Sequence, residues 1–181
     1  MTTPSELIAG AEPGTTWILD PKRSTLVFRN KTFWGLLTVK GAFGDVEGEG
    51  KITAAHTVAG SLRIRAASLS TGIGKRDEHL RSADFFDVEK HPVITVEVNG
   101  ATPTGTDQFQ LDTTLTVKGR EHRLDLPAKA TLLGDGAVRI STKTKINREE
   151  LGVDGNMFGM IPETTDLEAE AVFTPQATAA S

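Results

Sequence analysis

The chain has 181 residues, 38% hydrophobic and 24% charged, which suits a single soluble globular domain large enough to bury a core. Its net charge of -4 is interspersed along the sequence and argues against the clustered basic face that nucleic acid requires. There is no cysteine, so disulfides and thiolate metal sites are excluded.

The first residues, MTTPSELIAGAEPG, carry no Lys or Arg and no apolar run of signal-peptide length. They read as a disordered leader, 1–14, on a cytoplasmic protein. No stretch approaches ~18 consecutive apolar residues, so no membrane span is expected. Two less regular strand-like runs follow, Thr25 to Lys31 and Leu36 to Lys51. Phe33 and Trp34 sit on the turn between them, and Gly41 and Gly44 flank Phe43 as bulges or bends would require.

From Val58 the pattern has a period of two. Val58, Gly60, Leu62, Ile64 and Ala66 share one face, with Ser61, Arg63 and Arg65 on the other. The alternation recurs at Ile94–Val98, Phe109–Val117, Leu124–Leu132, Val138–Ile146 and Leu167–Phe173. Each run predicts a half-buried antiparallel strand. Lys118–Arg120 and Gly134–Gly136 read as hairpin turns, and residues 176–181 as a disordered tail. About eight strands with short connections mean a sandwich or a barrel. Many inward positions are small, among them Thr113, Ala128, Ala130, Thr142, Ala169 and Ala171. A hollow barrel holding a small ligand and a tapered barrel filled by side chains both fit that pattern.

One segment breaks the period, GKRDEHLRSADFFDVEKHP at Gly74–Pro92. Asp77 and Arg81 stand i,i+4 with the acid first, which predicts a short helix over Lys75–Asp84 with an ion pair along its surface. Phe85 and Phe86 close it, and Pro92 restarts extended chain. The dense charge suggests chemistry, but the spacing does not support it. The four histidines show no metal-ligand spacing, so no metal is expected. Adjacent carboxylates such as Asp77-Glu78 do not face one site, no GxSxG elbow exists, and GVDGNMFG follows no phosphate-loop pattern. Met157 and Phe158 make that loop's tip apolar.

Three stretches, WILDPKRSTLVFRNKTFWGLLTVKGAFGDVEGEGKI, STGIGKRDEHLRSADFFDVEKHPVITVEV and LTVKGREHRLDLPAKATL, resemble the YceI-like, polyisoprenoid-binding family; INREELGV resembles its later motif. The resemblance runs from about Trp17 to Phe173 and implies an all-β, eight-stranded antiparallel lipocalin-like barrel, here 15–175, with a short helical segment between strands. It implies a long apolar ligand in the barrel, such as a polyisoprenoid, an isoprenoid quinone or a fatty amide. Relatives are often periplasmic, and dimers are known, so a homodimer is a further expectation. The chain departs from the family pattern at Arg23, Lys31-Thr32 and His91, where His, Lys-His and Tyr are common.

These readings converge on a non-catalytic lipid carrier or sequestering protein, with no cofactor and no nucleic-acid partner. The expected lining is Phe28, Phe43, Leu62, Ile64, Phe85, Phe86, Ile94, Val96, Leu111, Leu115, Leu126, Ile140, Phe158 and Phe173. Lys31, Arg76 and Arg81 are the cations available to a polar or anionic head group at the mouth. Two rivals remain at this stage. An enzyme acting on lipid needs His79 or His91 inside the pocket, and a protein-interaction module needs a filled barrel.

Overall fold

The computed structural model describes residues 1–32, 35–156 and 161–176. In chain order the elements are α1 (Pro4–Gly10), β1 (Thr16–Leu19), β2 (Thr25–Thr32), β3 (Leu37–Phe43), β4 (Val46–Ile52), β5 (Val58–Arg65) and β6 (Leu69–Ser70). Then come α2 (Gly74–Arg81), β7 (Val93–Pro103), β8 (Gln108–Val117), β9 (Arg120–Leu132), β10 (Val138–Asn147) and β11 (Thr164–Pro175). Among the described residues no helix is long and apolar enough to cross a membrane.

Every pairing is antiparallel, and the sheet closes on itself. β11 pairs with β10 on one side; on the other it meets β2 at Asp166–Glu170 and β1 at Phe173–Pro175. β1 and β2 are therefore one stave of the barrel, interrupted by a 3-10 turn at Pro21–Arg23. β3 and β4 make a second broken stave, since β3 pairs with β2 and β4 with β1. β5 and β6 make a third, β5 on β4 and β6 on β3, with the 3-10 turn Ala66–Ser68 between them. With β7 to β11 this gives an eight-stave up-and-down barrel, which leaves no long free edge. The break at Gly44–Asp45 faces the break at Ala66–Ser68: the Gly44 amide donates to the Ser68 carbonyl, and Arg65 to Asp45. Adjacent staves turn the same corner, as barrel curvature requires.

Up-and-down order sorts the connections by end. One end has the β4–β5, β7–β8 and β9–β10 turns. The other has the two long connections, 71–92 and 148–163, with the β2–β3 and β8–β9 hairpins. Lys118 and Gly119, both at positive φ, make the tight turn expected of that pair. Phe85, Leu151 and Val153 of the long connections are buried against Ile64, Ile94 and Leu115 of the staves, so the irregular chain completes the core at that end.

Two local expectations are corrected. Pro4–Gly10, expected within a disordered leader, is a helix with a capping box: Thr3 Oγ1 accepts from the Glu6 amide, and Glu6 accepts from the Thr3 amide. The Ser5 hydroxyl and amide tie it to carbonyls of the β7–β8 turn at Gly105 and Thr106. The ion pair expected along the surface of α2 is replaced by two inward anchors. Asp77 is buried and accepts from the Thr71 amide and hydroxyl, while Arg81 donates to the carbonyls of Ala67 and Leu69. Burial alone would raise the Asp77 carboxyl, but the Thr71 bonds, the Arg81 charge and Ser70 hold it below the usual carboxylate value.

Candidate functional site

The barrel is hollow. A cavity of about 510 Å³ fills the half beside the long connections, and one of about 190 Å³ fills the half beside the short turns. Leu62, Val96, Thr113, Leu126, Thr142 and Ala169 line both, so they form a belt between two chambers of one interior. The small inward residues make this space. Threonines and alanines stand on β8, β9, β10 and β11 where a filled barrel would carry leucine or phenylalanine. A close approach shapes the large chamber: Phe28 folds flat over Gly41, and a methyl there would lie inside the ring. Phe43 packs on Phe28 and meets Phe86 edge-on, at centroid distances of 5.7 and 5.8 Å.

Polar groups on this wall are largely spent on the protein. The belt hydroxyls donate to backbone carbonyls, Thr113 to Leu124 at 2.6 Å and Thr142 to Pro127 at 2.7 Å, which leaves their methyls for the cavity. Asn30 donates to Thr165 at 3.0 Å. The Glu168 carboxyl turns to the outer face, where it pairs with Arg29 at 2.8 Å, and that hydrogen bond holds it below the usual range. Arg148, 5% exposed, donates to four carbonyls, those of Val153, Gly155, Ile161 and Pro162. Burial lowers its guanidinium from the ordinary value, opposed by Glu149, Asp154 and Glu163, and an arginine in that position stays charged.

Two polar groups differ. Arg76 lines the large chamber with its guanidinium held by the Thr71 hydroxyl at 2.7 Å and carbonyl at 2.9 Å, and no carboxylate forms an ion pair with it among the described residues. His79 lines the same wall, with its Nε2 2.9 Å from Asp84 and its ring edge-on to Phe85. The arrangement suits a long apolar molecule.

Of the residues read from the sequence, Phe28, Phe43, Ile64, Phe85, Phe86, Ile94 and Leu115 stand on the large chamber. Leu62, Val96 and Leu126 are on the belt, and Leu111, Ile140 and Phe173 on the small chamber. Arg76 is on the large-chamber wall. Lys31 and Arg81 line neither chamber. Lys31 is exposed opposite Thr38, outside the barrel, because the pleat turns alternate residues of β2 outward; Arg81 is turned to Ala67 and Leu69. Phe158 lies outside the described residues, as do Phe33, Trp34, Met157 and Met160. Sequence reasoning did not single out Arg148, Leu151 and Val153, nor Pro4, Leu7 and Ile8 of α1, which line the small chamber.

Among the described residues no group of three or more His, Asp or Glu side chains is placed to hold a metal. The histidine test divides: His79 is on the chamber wall, and His91 lies against Gly119 in the β8–β9 turn. Among the described residues no serine or lysine lines that wall beside His79; the nearby Ser82 donates its hydroxyl to the His79 carbonyl at 2.6 Å, and the Asp84 partner of the ring is solvent-exposed.

A family profile described as the YceI-like domain matches residues 17–173. A UPF0312 protein of Azotobacter vinelandii is 34% identical over 98 residues, 53% of this chain and 50% of that protein, so this alignment spans about half of the relative. A UPF0312 protein of Staphylococcus aureus is 30% identical over 173 residues, covering 88% of this chain and 98% of its own. Among solved structures, a polyisoprenoid binding domain from Saccharophagus degradans implicated in plant cell wall breakdown superposes with a TM-score of 0.74 at 18% identity. It covers 91% of this chain and all of that one, and it supports the fold.

Proposed function

The chain belongs to the YceI-like domain family, and from that premise we propose that it binds a long apolar molecule in its barrel without chemically changing it, as a carrier or a sequestering protein. The observation that carries the reading is the two-chambered interior, apolar along its length, with Arg76 and His79 as polar groups on the wall of the large chamber. Its large chamber of about 510 Å³ falls within the ~300–1,000 Å³ of ordinary ligand sites. A polyisoprenoid, the tail of an isoprenoid quinone or a fatty amide fits this chemistry, and the solved neighbour described as polyisoprenoid-binding points the same way.

The energetics favour binding but not fine selection. A chain burying ~350 Å² gains roughly 9 kcal/mol at ~25 cal/mol per Å². Association and ordering cost ~4–15 kcal/mol, so a preformed cavity matters because it lowers that cost. Each methylene discriminates by only ~1–3 kcal/mol. Binding is preferred to lipid chemistry because, among the described residues, the ring of His79 on the chamber wall pairs with the exposed Asp84 and no serine or lysine lines that wall.

Native mass spectrometry of gently purified protein is expected to show one bound apolar molecule, released intact by organic extraction. Protein that is always empty and takes up no isoprenoid or fatty-amide probe after delipidation would refute the reading. Recovery of a hydrolysed or oxidised product would instead favour an enzyme.

A further inference from the structure

The described residues expose few large hydrophobic side chains, and three of them crowd one end of the barrel: Leu36 is 82% exposed, Leu37 56% and Ile73 54%. Their proximity follows from the pairing. β3 and β6 meet antiparallel at Ala42–Ser70 and Phe43–Leu69. Beyond that contact the two chains run toward the same end, β3 back to Leu37 and Leu36, the other on to Ile73 and α2. Leu37 also lines the large chamber, as does Arg76 of α2, so this apolar patch borders the chamber where it reaches solvent.

The charge around the patch is local and positive. Lys31 and Lys40 are exposed on the two strands leading to the β2–β3 turn, and Lys75 is exposed in the first turn of α2. None of the three forms an ion pair among the described residues. Glu78 is the exposed acid of α2, and its neighbour Asp77 is buried. The same end also exposes acids on its two long connections, Asp84, Glu89, Glu150, Asp154 and Glu163, so the basic rim is confined to the side formed by the β2–β3 turn and the start of α2.

We infer that this end docks on a lipid bilayer containing anionic lipids, Leu36, Leu37 and Ile73 entering the head-group boundary and Lys31, Lys40 and Lys75 resting on its negative charge. The patch then faces the chamber mouth toward a reservoir of apolar molecules, and the inference rests on the reading of the chamber as a site for them. An isologous pair of copies is a poorer occupant, because it would bring two sets of three lysines face to face across the interface.

The test is flotation of the full chain with vesicles of phosphatidylcholine alone and with ~30% phosphatidylglycerol, each at low and physiological salt. The protein is expected to float with the anionic vesicles, less so as salt rises, and weakly with the neutral ones. The double variant L36S/I73S, at positions off both chambers, is expected to weaken partition at least tenfold, and K31Q/K40Q/K75Q to remove the preference for anionic lipid. Absence of wild-type flotation, or flotation unchanged in both variants, overturns the inference. So does a wild-type dimer that L36S/I73S converts to monomer in sedimentation, which would give the patch to a second copy. Native mass spectrometry on the same samples separates the two readings. A loaded barrel that ignores vesicles sinks only the docking, and an empty barrel that still binds them sinks only the carrier.

Discussion

The two ends of the barrel are built differently. The short-turn end is joined by turns, such as Leu133–Ala137 and Pro103–Gln108, and floored by α1, whose seven residues bury none of their side chains fully. The long-connection end folds the 71–92 connection and the described part of the 148–163 connection over the staves and secures them with buried charge, Arg148 for one and Asp77 for the other. One end is held by local backbone rules. The other is held by single side chains reaching across the chain, so its shape depends on a few residues. That is the end that borders the larger chamber and carries the exposed apolar patch.

The sharpest way to break this contrast is at Arg148. Its guanidinium satisfies carbonyls on both sides of the 148–163 connection, from Val153 and Gly155 to Ile161 and Pro162. Arg148→Met leaves those acceptors without their donor, at ~1–3 kcal/mol for each that water cannot reach. A loss of about 3 kcal/mol or more is expected, which is ~6–12 °C in Tm for a domain of this size. Arg148→Lys should recover only part, since an ammonium cannot span four carbonyls as the planar fork does. Thermal unfolding decides it, and an unchanged Tm in the Met variant would show that the connection holds without its anchor.

Asp77 anchors the other connection more weakly, and its effect has a pH signature. The native carboxyl lies below its usual value, so the unfolded chain binds its proton first as pH falls. The contribution is complete above the unfolded value of ~4 and is lost as pH drops through the native one. Asp77→Asn is expected to cost ~1–2 kcal/mol at pH 7, the worth of hydrogen bonds to a buried charge. The gap between the two proteins should begin to narrow below pH ~4 and close only as pH falls through the lower native value. Urea unfolding followed from pH 7 down through that native value reads this directly, and a gap that is constant with pH would assign the effect to packing instead.

Much of the barrel could be read from the sequence, because period two is a local property. The alternations through Val58–Ala66, Phe109–Val117 and Leu124–Leu132 put inward the residues that now line the chambers, all but Ala66 and Leu132. Closure was not readable from that parity, because it resides in β11 meeting β10, β2 and β1 at once, a set of long-range pairings. Nor was the size of the hollow, since small inward residues fit a filled taper equally well. The Asp77–Arg81 spacing was real, but Thr71 and the carbonyls of Ala67 and Leu69 offered both side chains better partners. Arg148 had no periodic signal, because the carbonyls it serves follow it in an irregular loop. α1 did carry one, Thr3-Pro4-Ser5-Glu6, but a helix of seven residues cannot stand alone, and its docking partner lies a hundred residues away.

The same dependence makes α1 the place where the comparison predicts the smallest loss of stability with a distinct functional outcome. Leu7 and Ile8 lie over the small chamber, beyond the belt of Thr113 and Thr142, and the helix is secured to the barrel mainly through Ser5 at Gly105 and Thr106. The β-strands close without it, so Leu7→Asp with Ile8→Asp should lower stability by only ~1–2 kcal/mol, the order of losing partial burial of two aliphatic side chains. Lifting the helix removes the floor of the small chamber. A chain that wild type must stop at α1 then gains an exit, and the variant should accept apolar chains too long for the wild type. Short chains reach no farther than the belt and should bind both proteins alike. Competition with a series of prenyl or alkyl chains of increasing length tests this. Equal length cut-offs in the two proteins would place the limit at the belt, and the short-turn end would then be purely structural.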